Sequence, residues 1–307
     1  MRMNATWMAL AAAVCLGIGA AGVGEAQAGK KSIIAADAKL VKVSGGFDFT
    51  EGPASDKKGD IYFTDQPNDR IMKWSATDGK ITTYMKPCGR SNGLCFDSQG
   101  NLWACADEKN EMWKISPKGE KTIVLKDYEH KLLNGPNDVW LRPDGGLYFS
   151  DPFYKRDYWK RGPMEQDVHG VYYLAPDHKQ LIRVVNDLQQ PNGIIGTPDG
   201  KTLYVADIDA NKTYSYDIQS DGTLTNKHLF CELGSDGMTI DNEGDVYLTG
   251  KGVTVFDKTG KQILQIPIQE DWTANICFGG KDRHTLFITA SKSVYSMKMR
   301  VKGVGSQ

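Results

Sequence analysis

The sequence has little of several features that would point to a particular class of protein. Its 307 residues carry a formal net charge of -1, which gives no reason to expect nucleic acid or an anionic membrane surface as a partner. No long stretch shows the apolar spacing of an amphipathic helix. Beyond the N-terminal segment, no apolar run is long enough to cross a membrane. These absences favour a chain built of short strands and turns, which the 33 glycines also suit.

The N-terminal segment has the pattern of an export signal. Arg2 supplies a positive charge, an apolar stretch runs from about Trp7 to Ala20, and Ala26-Gln27-Ala28 has the small residues of a cleavage site. We therefore expect residues 1–28 to be a signal peptide and residues 29–307 to be one domain. That domain would be exported, periplasmic or secreted, and free of the membrane after cleavage. An uncleaved anchor is the alternative.

Cysteine is scarce, and its spacing matches neither a zinc site nor a disulfide framework. The chain after residue 28 keeps an odd number of cysteines: Cys88, Cys95, Cys105, Cys231 and Cys277. We expect unpaired thiols packed in the core, although a Cys88–Cys105 or Cys95–Cys105 bridge stays open. No histidine is placed beside a cysteine in a way that predicts a catalytic thiol.

An internal repeat organises the rest of the chain. In six segments a polar residue immediately precedes a short apolar strand, which we expect to line the central channel. A turn and a second strand rich in aromatic and branched residues follow. The shared polar residues are Glu51, Asn92, Asn137, Asn192, Asp236 and Asn275. Their spacing of roughly 40–50 residues is typical of four-stranded blades. The sequence therefore predicts an all-β fold, a six-bladed β-propeller, with a twisted β-sandwich as the disfavoured alternative.

Two segments fall outside the repeat. The last unit ends near Met299 after three strands, and Lys39–Ser44 alternates like an edge strand. We expect this N-terminal strand to complete the last blade and close the ring. The longest spacing contains an inserted loop, Lys155–Val168, and the stretch from Tyr154 to Trp159 is the best candidate for determining specificity. The candidates for an aromatic rim around a sugar ring, with plain packing as the alternative, are Tyr154, Tyr158, Trp159 and Trp272.

The six shared polar residues, called the polar ring below, should lie together at the mouth of the central channel. Equivalent positions in a closed ring point toward one axis, and each unit has a separate hairpin turn, so turn chemistry does not explain all six. Their carboxylate and amide oxygens suit a hard divalent cation, and the charges of Glu51 and Asp236 would balance it. We therefore expect a divalent metal, first calcium. Magnesium and manganese are alternatives, and zinc is less favoured because no histidine or cysteine shares the position.

The repeat resembles the gluconolactonase family, which includes regucalcin-like proteins and is related to diisopropylfluorophosphatase. The segments that carry the resemblance are Thr50-Glu-Gly-Pro-Ala54, Ser91-Asn-Gly-Leu94, Pro136-Asn-Asp-Val139, Tyr148-Phe-Ser-Asp-Pro152, Gln190-Pro-Asn-Gly193 and Asp236-Gly-Met238. They run in order along nearly all of the chain after residue 28. The resemblance implies a six-bladed propeller with a divalent metal at the channel mouth and, for many members, hydrolysis of lactones.

Carried over position by position, the resemblance implies roles for seven residues. The metal ligands would be Glu51, Asn137, Asn192 and Asp236. The substrate-binding or orienting residues would be Asn92, Arg90 and Asp138. For Asp138 the alternative is a plain turn acid, and for Arg90 it is a solvated surface arginine.

Two departures separate this chain from the family pattern. Many members carry a Cys-Glu-His segment in the second blade, where this chain has Cys105-Ala-Asp107. The phosphatase relative has a histidine in the region of Asn275. The resemblance implies a lactonase, that is, a carboxylic ester hydrolase acting on a small-molecule lactone, with a sugar lactone as the favoured substrate. The alternatives are a phosphotriesterase-like or other ester hydrolase on the same metal site, and a non-catalytic ligand-binding propeller.

The implied mechanism assigns the chemistry to the two carboxylates of the polar ring. A bound metal would polarise the lactone carbonyl while water attacks it. The general base would be Asp236 or Glu51, and direct nucleophilic attack by Asp236 is the alternative. Nothing in the sequence indicates the oligomeric state.

Overall fold

The strands form six antiparallel four-stranded sheets, which are the blades of a β-propeller. The computed structural model describes residues 32–304, and within that range no helix is both long and apolar enough to span a membrane. In five blades the chain starts at one edge of the sheet and adds all four strands in sequence order, and in the sixth it adds three. The first strands of neighbouring blades contact one another in a closed circle, so they line the central channel. This arrangement confirms the predicted six-bladed fold.

The first half of the chain forms three blades after an initial strand, β1 (Val41–Gly45). The first blade contains β2 (Thr50–Ser55), β3 (Ile61–Asp65), β4 (Arg70–Trp74) and β5 (Ile81–Met85). The second contains β6 (Ser91–Phe96), β7 (Leu102–Ala106), β8 (Glu111–Ile115) and β9 (Lys121–Leu125). A small hairpin follows, made of β10 (Asp127–Tyr128) and β11 (Lys131–Leu132). The third contains β12 (Val139–Leu141), β13 (Leu147–Asp151), β14 (Gly170–Leu174) and β15 (Leu181–Val185).

The second half repeats the same plan. The fourth blade contains β16 (Pro191–Gly196), β17 (Thr202–Asp207), β18 (Lys212–Ile218) and β19 (Leu224–Cys231). The fifth contains β20 (Met238–Ile240), β21 (Val246–Gly250), β22 (Gly252–Phe256) and β23 (Gln262–Ile266). The sixth contains β24 (Thr273–Gly279), β25 (Thr285–Ala290), β26 (Ser293–Lys298) and, at its outer edge, β1. Short 3-10 turns are present at Gln66–Asn68 and Asp107–Lys109.

The sixth blade is completed by the N-terminal strand, as predicted. β1 pairs antiparallel with β26, with Val41 opposite Ser296 and Gly45 opposite Ser293. An unpaired β26 would present a row of free backbone donors and acceptors to other chains, so the pairing removes an edge that favours aggregation. The predicted signal peptide, residues 1–28, lies outside the described residues.

Apolar side chains fill the space between neighbouring blades. One cluster joins Tyr62 of the first blade to Phe96 and Trp113 of the second, with the Tyr62 and Phe96 ring centroids 5.0 Å apart. Each large side chain buried in this way contributes about 1.5–3 kcal/mol, so the interfaces between blades hold the innermost strands in fixed positions. The five cysteines in the described residues are free, as expected, and burial raises the pKa of the Cys231 thiol to about 11.

Candidate active site

The polar ring lies on the innermost strands, where their pairing becomes irregular. Four of its members lie inside strands: Glu51, Asn92, Asn192 and Asn275. The other two lie two residues before a strand: Asn137 and Asp236. The prediction that all six precede their strands is therefore wrong for four. In those four blades strand pairing starts earlier, shifts register at this level and then resumes. Such irregularities re-aim side chains out of the sheet.

The residue after the ring position brings neighbouring blades into backbone contact. In four blades it is a glycine: Gly52, Gly93, Gly193 and Gly237. A Cβ on Gly93 would lie 2.6 Å from the carbonyl oxygen of Asn137, and the Gly93 N–H donates to that oxygen at 2.7 Å. A Cβ on Gly237 would lie 2.0 Å from Cγ of Asn275. The Asn-Gly and Asp-Gly pairs thus serve the close approach of innermost strands rather than chain reversal.

Three carboxylates gather at this level of the channel. Glu51 is 2% exposed, and burial, together with the charge of Asp236, raises its pKa well above the usual range. Burial raises the pKa of Asp236 to about 6 and that of Asp138 to about 7. So much negative charge with little solvent is unfavourable unless a proton or a cation compensates it.

Hydrogen bonds hold both carboxylate oxygens of Asp236. Its Oδ1 accepts from Asn192 Nδ2 at 2.8 Å, and its Oδ2 accepts from Trp272 Nε1 at 2.6 Å. The same Asn192 Nδ2 donates to the Tyr154 hydroxyl at 2.9 Å. The structure therefore brings two of the four predicted rim aromatics, Tyr154 and Trp272, into direct contact with the polar ring.

Asp138 is held by backbone groups of two blades. Its Oδ1 accepts the N–H of Val139 at 3.0 Å, and its Oδ2 accepts the N–H of Ile194, in the next blade, at 3.2 Å. The Asn275 side chain lies close enough to both Glu51 and Asp138 to lower the pKa of each carboxyl group. These contacts tie the innermost strands together, and the predicted role of Asp138 in orienting substrate or water stays a prediction.

The channel contains a cavity of about 440 Å³ between the polar ring and the hairpin turns that follow the innermost strands. Asp138 and Asn275 line it, together with residues of the innermost strands and of hairpin turns such as Asp97–Gln99. Glu51 and Asp236 are not among its lining residues. The cavity therefore extends away from the carboxylates that we expect to act on a substrate.

Arg90 lies apart from the ring, whereas Asn92 belongs to it. Asn92 is 3% exposed, and its Oδ1 is buried without a hydrogen-bond partner among the described residues. The Arg90 guanidinium donates to the carbonyl of Pro67 at 2.6 Å and lies 4.4 Å from the centre of the Tyr158 ring. Neither partner is a ring residue. Substrate contacts by Asn92 and Arg90 stay predictions.

The donor atoms of the polar ring fit a hard divalent cation. Within residues 32–304, no group of three or more histidine, cysteine, aspartate or glutamate side chains is placed to hold a metal. A cation at the ring would therefore use amide oxygens beside the carboxylates of Glu51 and Asp236. Asn92 and Asn192 each leave a buried Oδ1 unpartnered, which costs about 1–3 kcal/mol for each group unless a ligand satisfies it. Oxygen donors of this kind are those that calcium accepts.

The anchor of the inserted loop, Asp107, was not predicted from the sequence. The loop spans residues 152–169 between β13 and β14, slightly more than predicted. Asp107 is 3% exposed, and its Oδ2 accepts from Gln66 Nε2 at 3.4 Å, Arg156 Nε at 3.2 Å and the Tyr158 hydroxyl at 2.5 Å. Its carbonyl accepts from Trp159 Nε1 at 2.9 Å. The remaining two rim aromatics thus fasten the loop instead of touching the ring.

A signal for this role was present in the repeat. In three blades an aspartate at the end of the second strand accepts two backbone N–H groups from the segment before the innermost strand: Asp65, Asp151 and Asp207. Asp151, for example, accepts from Asn134 and Gly135, both at 2.8 Å. The corresponding backbone groups before the second blade, those of Cys88 and Arg90, instead donate to Asp69 of the first blade, so Asp107 is left to bind the inserted loop.

Comparison with known proteins places the chain in a family. The model of the SMP-30/gluconolactonase/LRE-like region matches residues 49–292. The gluconolactonase of Zymomonas mobilis is 28% identical over 83% of this chain and 80% of its own length. The diisopropyl-fluorophosphatase of Loligo vulgaris is 27% identical, with 81% and 88% covered. The solved gluconolactonase of Xanthomonas campestris has a TM-score of 0.81 at 27% identity, with 87% and 91% covered. The chain belongs to the SMP-30/gluconolactonase/LRE-like family.

Proposed function

We propose that this chain is a metal-dependent lactonase whose substrate is a sugar lactone. The gluconolactonase relatives bear out the coarser part of this statement, an enzyme that hydrolyses lactones. The observation that supports the rest is the polar ring. There, two buried or partly buried carboxylates lie beside amide oxygens that have no partner among the described residues.

In this proposal, four residues hold the cation, with calcium as the first choice: Glu51, Asn137, Asn192 and Asp236. When bound, a divalent cation supplies Lewis-acid chemistry that withdraws electron density from a lactone carbonyl. The side chains of the ring offer a cation neutral amide oxygens and singly charged carboxylates. These ligands suit calcium better than zinc.

Asp236 is the residue best placed to handle the proton. As general base it removes a proton from the water that attacks the carbonyl carbon. Collapse of the tetrahedral adduct then breaks the ring C–O bond, and Asp236 returns the proton to the oxygen that leaves. The bonds from Asn192 and Trp272 fix the carboxylate, so little reorientation is needed during the reaction. In this proposal the amide of Asn92, a member of the polar ring, binds a hydroxyl of the substrate.

Two other assignments follow from the same geometry. Glu51 is the alternative base, and direct attack by Asp236 on the carbonyl is the alternative route. A single turnover in ¹⁸O-labelled water separates water attack from attack by Asp236. Label enters the product carboxylate in the first case. In the second, Asp236 forms a mixed anhydride with the substrate acyl group, and hydrolysis of that anhydride at the Asp236 carbonyl leaves the first product molecule unlabelled and Asp236 labelled.

An aldonolactone assay tests the proposal. We expect a chelator to abolish turnover and calcium to restore it, and we expect Asp236→Asn to lower kcat by roughly 10²–10⁴-fold. The control is Asp199→Asn, which alters an exposed turn aspartate and should leave kcat unchanged. A cation-loaded protein that turns over no lactone would contradict the proposal.

A second candidate function is hydrolysis of phosphotriesters at the same site. The 27% identity to the diisopropyl-fluorophosphatase of Loligo vulgaris favours it. The polar ring offers no histidine for that chemistry, because the sixth blade carries Asn275 at this position. Release of a phenol from an aryl phosphotriester faster than turnover of any aldonolactone would favour this function. Cation binding without turnover of either substrate would favour a non-catalytic ligand-binding propeller.

We also propose that the protein is exported. The basis is the sequence of residues 1–28, with its positive charge, apolar stretch and small-residue site. Mass spectrometry of the protein isolated from its host should show a chain that starts near Gly29. A chain that retains the first 28 residues would contradict cleavage.

A further inference from the structure

Asn192 is a ring residue that can bind a cation only when its amide oxygen, and not its NH₂ group, faces the cation. One end of the amide is an oxygen that can bind a cation, and the other is an NH₂ group that would repel it. Both N–H groups of Asn192 Nδ2 are used, one on Asp236 Oδ1 at 2.8 Å and one on the Tyr154 hydroxyl at 2.9 Å. The Oδ1 is left buried and unpartnered, which is the orientation that cation binding needs.

Tyr154 does not belong to the propeller repeat. It lies on the inserted loop, residues 152–169, which crosses from the third blade toward the second. The loop is fastened just after Tyr154, where the side chains of Arg156, Tyr158 and Trp159 all bond to Asp107. The position of the Tyr154 hydroxyl over Asn192 therefore depends on a carboxylate in another blade.

Asp107 differs from the other aspartates near the ends of second strands in the partners of its side chain. Asp65, Asp151 and Asp207 hold backbone of their own blades, whereas the side chain of Asp107 is bonded to Gln66 of the first blade and to the inserted loop. It is 3% exposed, so these polar contacts replace water almost completely. A buried carboxylate with partners from other elements is a strong tie between those elements.

We propose that Tyr154 is a positioning residue that turns the Asn192 amide oxygen toward the cation, and that Asp107 keeps Tyr154 in place by fastening the inserted loop. The inference rests on the proposed function, because it assumes that the polar ring binds a divalent cation. It adds two residues outside the ring to the determinants of cation affinity, and it assigns the inserted loop to the construction of the site.

Calorimetric titration of the chelator-stripped full chain with calcium tests the role of Tyr154. We expect Tyr154→Phe to weaken calcium binding about three- to tenfold, because Asn192 loses one of the two bonds that orient it. The matched control is Tyr216→Phe, which removes a buried hydroxyl that has no hydrogen-bond partner among the described residues. This control should bind calcium as tightly as the unaltered chain.

A double-mutant cycle tests the role of Asp107. We expect Asp107→Asn to weaken calcium binding, and we expect the double variant with Tyr154→Phe to bind no more weakly than the weaker-binding single variant, since both changes act through Asn192. Tyr158→Phe removes one loop bond without changing the buried charge, so it serves as the second variant if Asp107→Asn fails to fold. Melting temperatures of the calcium-free variants show which are folded.

The outcomes separate the inference from the proposed function. If the unaltered chain binds no divalent cation, the proposed function is wrong and the inference falls with it. If it binds calcium and Tyr154→Phe binds equally tightly, only the positioning role is overturned. Additive losses in the double-mutant cycle would overturn the part assigned to Asp107.

Discussion

At the scale of single residues, the atom of each side chain that faces the channel determines whether the polar ring can bind a cation. Asn192 offers either an oxygen or an NH₂ group, and its neighbours Asp236 and Tyr154 make the choice. Sequence could indicate the ring, because a shared repeat position implies a shared place in the fold. It could not indicate the orientation of the amide, because Tyr154 and Trp272 lie on loops outside the repeat and their partners are set by tertiary packing.

The glycines beside the ring positions are a prediction at this scale. Gly93→Ala would place a Cβ 2.6 Å from the Asn137 carbonyl oxygen and 2.8 Å from the Asp138 Cα, so the innermost strands would have to move apart. We expect the free energy of unfolding to fall by about 1–3 kcal/mol in urea titration. Gly162→Ala is the control, because a Cβ there meets no atom within 4 Å. Equal stability of the two variants would contradict the close approach.

At the scale of elements, aspartates at the ends of second strands fix the backbone segment that precedes the innermost strand. Asp151 ends β13, and its two oxygens accept the N–H groups of Asn134 and Gly135. The aspartate is fully buried, so these two donors replace water at its oxygens, and the nearby Arg161 guanidinium also favours its charged form. Three blades use this device, and the second blade departs from it where Asp107 binds the inserted loop.

Asp151 also gives a prediction on pH dependence. Burial raises its pKa to about 7 from a usual value near 4, so the folded state binds a proton more readily than the unfolded state. Its contribution to stability is therefore complete below about pH 4 and is lost as the pH rises toward 7. We expect Asp151→Asn to show a smaller fall in the free energy of unfolding between pH 4 and pH 7 than the unaltered chain.

Urea titration across this pH range measures the slope of the free energy of unfolding against pH, both for Asp151→Asn and for the unaltered chain. Asp151→Asn also loses one acceptor, which lowers stability by about 1 kcal/mol at each pH and leaves the slope unaffected. Asp209→Asn, at an exposed turn, is the control and should keep the slope of the unaltered chain. Identical slopes for Asp151→Asn and the unaltered chain would contradict the raised pKa.

For the whole molecule, the repeat was enough to predict the number of blades, the closing strand and the place of the inserted loop. It was not enough to place the ring residues within their strands, because the register shift near Glu51 and its equivalents depends on how the innermost strands meet around the axis. The hairpin of β10 and β11 was also missed, since strands of two residues carry no periodicity. The fastening of the loop by Asp107 could not be read from a single repeat position.

The closed ring should respond to a cation as one unit. A ligand that binds only the folded state adds about 2.7 kcal/mol at a concentration of 100 times its Kd. For a chain of this length, whose entropy of unfolding is about 0.6 kcal/mol/K, we expect calcium at that concentration to raise Tm by roughly 4–5 °C. A chelator should reverse the shift, and Asn192→Ala should reduce it. A Tm that is unchanged by calcium at millimolar concentration would contradict a cation site in the ring.

The pairing of β1 with β26 also bears on when the molecule can become a ring. The two partners lie about 250 residues apart in the chain, so β1 has no strand to pair with until β26 is available. Five blades can gather their four strands as they emerge, but the sixth must wait for both ends of the described chain. We therefore expect ring closure, the pairing of β1 with β26, to be the last step of folding.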